Sequence, residues 1–210
     1  PTTIGLAGSL TLCASYERVP LLMKKLSDVS ETLFPQDGKN QEVNKKSIYH
    51  LVSAFQLYLA LIHPFYECNG RTSEDAMYIL WNRRPDLADT IRYISAKGDR
   101  AETNVDDRMD IINRISLGIV RKIGQALGLT PKEASKIKNY SHMLTLLKDN
   151  HGKDPGDTET EYLDLYDETL DDRIGNMLDV EALLNDPEIG ELAAHLQTCS
   201  KKYLTSKKIN

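Results

Sequence analysis

Ile48-Tyr49-His50-Leu51-Val52-Ser53-Ala54-Phe55-Gln56-Leu57-Tyr58-Leu59-Ala60-Leu61-Ile62 runs directly into His63-Pro64-Phe65-Tyr66-Glu67-Cys68-Asn69-Gly70-Arg71. In the first piece Ile48, Leu51, Val52, Phe55, Leu59 and Ile62 recur at three- and four-residue steps, the spacing of one face of an α-helix. The second piece gathers a titratable base, a carboxylate, a glycine turn and a cation. An apolar pattern resumes after Thr72 through Met77, Leu80 and Trp81, so the cluster is expected to be a loop delivered by one helix and opening another.

Such a loop suits phosphate. A helix N-terminus presents unpaired N–H groups and partial positive charge to an anion. Gly70 lets the backbone approach a ligand, and Arg71 is a two-pronged donor to phosphate oxygens. Glu67 suits Mg²⁺, which binds through one or two carboxylates together with substrate phosphates. His63 is then left as a base. Each residue also has a plainer reading: His63 as a helix-end histidine, Glu67 as an ordinary loop carboxylate, and Asn69 and Gly70 as turn formers. Cys68 is either a small buried thiol or, beside a helix N-terminus and Arg71, a nucleophile of lowered pKa.

The cluster resembles the signature loop of Fic-domain proteins, H-P-F-x-[DE]-G-N-G-R-x-x-R, at His63, Pro64, Phe65, Glu67, Asn69, Gly70 and Arg71. Val19-Pro20-Leu21-Leu22-Met23-Lys24-Lys25-Leu26 is similar to a helix that often precedes the motif in that family, so the likeness covers roughly the first half of the chain. It departs at Cys68, where glycine or alanine is usual, and at Glu74, where a second arginine is usual. The resemblance implies an all-α, Fic-like helical bundle in which Phe65 anchors the loop in the core. It also implies a short N-terminal β-hairpin flap, around Ile4, Gly5 and Leu6, that pins a target segment by strand pairing.

In chemical terms the resemblance implies that His63 takes a proton from a Ser, Thr or Tyr hydroxyl of a target protein, whose oxygen attacks a nucleotide phosphorus. Mg²⁺ at Glu67 would bridge the phosphates, and Cys68, Asn69, Gly70 and Arg71 would bind them. The usual family donor is ATP and the usual product an AMP-modified protein. Glu74, where the family's arginine meets the γ-phosphate, would repel a triphosphate and sets donor specificity, which leaves another pyrophosphate-containing nucleotide open. The alternatives are a catalytically impaired Fic fold that binds nucleotide or protein without transfer, and an unrelated helical interaction domain whose loop matches the motif by chance.

Outward from the motif the period stays helical. Leu87, Ile91 and Ile94 belong to a short helix capped by Asp86, and Val105 to Leu127 reads as a long helix stopped by Gly128. Thr130-Pro131-Lys132-Glu133 is a capping box with proline at the first helical position, opening a helix expected to run towards Lys148. His151 to Thr160 reads as a loop, Tyr162 to Leu184 as short acidic pieces, and Pro187 to Leu204 as a final helix. Thr2 to Leu12, rich in glycine and threonine, suits a strand or hairpin. The division expected is a Fic-like core over 1–128 and a helical C-terminal extension over 129–210.

With 210 residues, 40% of them hydrophobic, the chain is long enough to bury a core. A net charge of −5 and the acidic stretch from Asp154 to Glu191 argue against a nucleic-acid partner. No run is long enough to span a membrane, the first residues lack a charged n-region followed by an apolar h-region, and a chain that starts at Pro1 is expected to be a fragment or a processed form. Cys13, Cys68 and Cys199 are too scattered for a disulfide framework or a zinc site. The cytoplasm, of the producing cell or of a host cell that receives the protein, fits this usage.

Overall fold

The computed structural model describes residues 5–6, 9–10, 13–33, 45–65, 69, 72, 76 and 105–207. Almost all are helical: α1 (Val19–Leu33), α2 (Lys45–Ile62), α3 (Val105–Ala126), α4 (Pro131–Ala134), α5 (Tyr140–His151), α6 (Pro155–Asn176), α7 (Val180–Asn185) and α8 (Pro187–Lys207). At the N-terminus Gly5–Leu6 (β1) and Ser9–Leu10 (β2) pair antiparallel, Gly5 opposite Leu10 and Leu6 opposite Ser9. The expected helix capped by Asp86 and carrying Leu87, Ile91 and Ile94, and the expected positions of Met77, Leu80 and Trp81, lie outside the described residues.

Helix α2 is the axis of the fold. The single stripe expected of it understates its burial: from Ser47 to Ile62 every residue but Tyr49 is buried, including Ala54, Leu57, Tyr58 and Leu61. A helix apolar on all sides is one enclosed by others. Helix α8 lies along α2, and α1, α3, α6 and α7 complete the enclosure. Fully burying each of Ile48, Leu51, Leu57, Leu61 and Ile62 contributes about 1.5–3 kcal/mol. His50 is buried as well, against α8, where a Cβ on Gly190 would stand 3.9 Å from its Nε2.

The core does not divide after Gly128. Leu22, Leu26 and Val29 of α1 and the whole inner length of α2 share one hydrophobic cluster with Tyr162, Tyr166 and Leu170 of α6 and Leu192 and Leu196 of α8. Residues beyond 129 supply walls of the core that holds α2. Polar ties run across the same line: the Ser15 N–H and hydroxyl donate to the two carboxylate oxygens of buried Asp167, and Lys25 meets Asp171 at 2.6 Å.

Two expectations about the C-terminal half change. The capping box forms as read, with the Thr130 N–H donating to Glu133 at 2.8 Å, but its helix stops after Ala134. Ile137 then turns into the core, its carbonyl held by the Arg121 guanidinium at 2.9 and 3.2 Å, and Asn139 caps a separate α5 by accepting from the His142 N–H. The supposed loop 151–160 shrinks to residues 152–154. Asp154 caps α6, and Pro155 and Gly156 sit in its first turn, where proline needs no N–H partner and is tolerated. The acidic pieces expected from Tyr162 to Leu184 therefore fall into the long helix α6, which runs on to Asn176, and the short helix α7.

Candidate functional site

α2 ends at Ile62, and His63 follows in the left-handed conformation, φ 54°, its N–H donating to Leu59 O at 3.2 Å. That is the position glycine normally takes at a helix C-terminus. A side chain there costs about 1–2 kcal/mol, and such strain gathers where surrounding structure holds a residue for a purpose. Pro64 prevents the helix from continuing.

The rest of the turn is fixed by Asn69. Its Oδ1 accepts from the Phe65 N–H at 2.9 Å and its Nδ2 donates to the Phe65 carbonyl at 2.6 Å, with Asn69 itself buried. Asn69, Thr72 and Ala76 are helical, and Ala76 packs on the core, so the loop opens into helix at its far side as expected. Phe65 corrects an expectation. It is not an anchor in the core; 46% of it is exposed, because the two bonds from Asn69 hold its backbone at the rim of the turn.

The last carbonyls of a helix lack partners within it. At the end of α2 Leu59 O is taken by His63, and Leu61 O accepts from the Tyr166 hydroxyl at 3.3 Å. Tyr166 stacks on Tyr162, ring centres 5.7 Å apart, and Tyr162 meets Tyr140 at 4.7 Å. An aromatic column from the C-terminal half thus supports the turn that carries His63. Sequence reasoning missed both supports: Tyr166 lies 105 positions from Leu61, and nothing in Asn69 alone announces that its amide turns back on Phe65.

The His63 ring is half-buried. Its Nδ1 is enclosed, with no hydrogen-bond partner among the described residues. Loss of water lowers the imidazole pKa below 6.5; the Ala60 backbone pulls the other way without reaching hydrogen-bond geometry at Nδ1. The negative end of the α2 dipole would also favour imidazolium, yet desolvation prevails. The ring is therefore neutral at pH 7 and able to accept a proton.

Glu67, Cys68, Gly70, Arg71, Glu74 and Ile4 lie outside the described residues, while Gly5 and Leu6 form β1. Among the described residues no group of three or more His, Cys, Asp or Glu gathers to hold a metal ion, and no helix is long and apolar enough to cross a membrane. No family model, curated protein or solved structure matches this chain. The resemblance to Fic proteins therefore rests on the motif residues themselves.

Proposed function

We propose that this chain is a Fic-type transferase that moves a nucleotide-derived phosphate moiety, AMP from ATP in the first instance, to a hydroxyl side chain of a target protein. The observation that carries the reading is His63: a neutral, half-buried imidazole held in a strained turn at the end of the central helix, at the head of His63-Pro64-Phe65. Enclosure of Nδ1 leaves Nε2 as the nitrogen that meets the incoming hydroxyl.

In this reading Nε2 takes the hydroxyl proton while the oxygen bonds to the α-phosphorus and the bond from that phosphorus to the pyrophosphate oxygen breaks. Pyrophosphate leaves, and the target carries an AMP ester. In this reading Arg71 would bind the phosphates, and Gly70, lacking a side chain, would let a ligand come close. Glu67 would likewise hold a hard cation such as Mg²⁺. Bound there, Mg²⁺ would neutralise charge on the leaving pyrophosphate. The paired strands β1 and β2 would, in this reading, serve as the flap on whose edge an extended target segment pairs. The unpaired thiol of buried Cys13 is compatible with a reducing cytosol.

A second reading, nucleotide or protein binding without transfer, is favoured by Glu74 in place of the motif's second arginine. Intact-mass analysis after incubation with Mg²⁺, a panel of nucleotides and a cell lysate separates the two. An adduct on the chain or on a lysate protein, absent with His63→Ala, is the result expected, and its mass names the donor. Tight nucleotide binding with no adduct from any donor would leave the binding module in its place.

A further inference from the structure

We infer that Asn69 is a positioning residue, whose carboxamide holds the His63-Pro64-Phe65 turn in its strained shape and is not available as a phosphate ligand. The inference rests on the reading of His63 as the base. Its ground is separate: both polar atoms of a buried side chain are engaged with the backbone of one residue, Phe65, at 2.9 and 2.6 Å. The arrangement works as a capping box does, a helical side chain reaching back to the backbone that precedes its helix.

The geometry has a consequence at both ends. His63 keeps a left-handed φ that no histidine prefers, and Pro64 transmits the position of Phe65 to it through a ring that cannot rotate about φ. Fixing Phe65 therefore restrains the turn through which the chain leaves α2 at His63. The same bonds present the Phe65 ring at the rim, half-exposed, two residues from the base. A side chain that turned to grip a phosphate would release Phe65, leaving its N–H and carbonyl to find water.

Asn69→Ala and Asn69→Asp test this in the full chain. In Asn69→Ala the Phe65 amide should exchange at least about tenfold faster, because its protecting acceptor is gone, with core amides of α2 unchanged. The His63 ring, followed by proton NMR and assigned with His63→Gln, should titrate at higher pH as water reaches it. Where transfer is measured, kcat should fall and the nucleotide KM hold. Asn69→Asp keeps the acceptor for the Phe65 N–H, so it should retain most of that amide's protection and outperform Asn69→Ala in kcat; as a phosphate ligand it would be the worse of the two, by repulsion. Unchanged Phe65 exchange and His63 titration in a folded Asn69→Ala would overturn the inference, as would a nucleotide affinity weaker in Asn69→Asp than in Asn69→Ala. Exchange and titration need no turnover, so they are decided even if the protein transfers nothing.

Discussion

His63 holds a conformation that opposes stability, and this can be isolated by two substitutions. Glycine accepts φ 54° without strain and alanine does not, while both remove the ring, so His63→Gly should be about 1 kcal/mol more stable to urea than His63→Ala. If the proposed transfer takes place, both should lose it by about two to four orders of magnitude, the usual contribution of a positioned base. The same residue gives a pH signature. Its folded pKa lies below 6.5, so between that value and 6.5 the unfolded chain binds the extra proton. The contribution of neutral His63 is complete above pH 6.5 and is lost as pH falls through the folded pKa. Between about pH 7.5 and 5.5 the wild-type urea midpoint should therefore drop more than that of His63→Gln, and parallel curves would show that burial does not depress the ring.

At the scale of elements, the join between α4 and α5 turns on Glu133. Its carboxylate accepts from the Thr130 backbone and hydroxyl, from Asn150 at 2.7 Å and from His151 at 3.4 Å, which ties the start of α4 to the end of α5. Those hydrogen bonds, the Thr130 backbone N–H first, hold its pKa at about 2 against an ordinary 4.5. Stability from this group is thus present above 4.5 and lost as pH falls towards 2. Glu133→Ala should lower Tm at neutral pH, and the gap to wild type should close on acidification across that window; a constant gap would assign the loss to helix propensity instead. At the other end of α5 Gly152 holds φ 64° and passes the Gly152 and Lys153 N–H groups back to Lys148 and Leu147. Gly152→Ala should cost about 1 kcal/mol in urea unfolding, since open space around the site leaves backbone strain as the whole effect.

For the whole molecule the decisive fact is the enclosure of α2. Removing everything after Asn150 takes away α6, α7 and α8, which cover most of that helix and supply the Tyr166 bond at its end. Such a chain should be insoluble or lack cooperative unfolding by circular dichroism; a soluble fragment that still binds nucleotide would restore the two-part division. A finer test is Leu170→Ala, at a wholly buried position of α6, which should cost about 2–5 kcal/mol and lower the single unfolding transition of the entire chain. Two separate transitions would mean that the halves fold apart.

The sequence by itself determined what depends on near neighbours. Three- and four-residue spacing gave α2 and α3, Thr130 to Glu133 announced its capping box, and the motif placed a turn after Ile62 that opens into helix by Asn69. It misplaced breaks where proline and glycine sit inside a first turn, at Pro155 and Gly156, and missed one made by a distant group, the Arg121 guanidinium on Ile137. Tertiary structure alone decided the rest. A helix can show its apolar residues but not how many partners surround it, so full burial of α2 and the unity of the core became visible only with α6 and α8 in place. The same holds for the state of His63: its identity is local, while its neutral charge is set by desolvation at the end of a helix propped from 105 residues away.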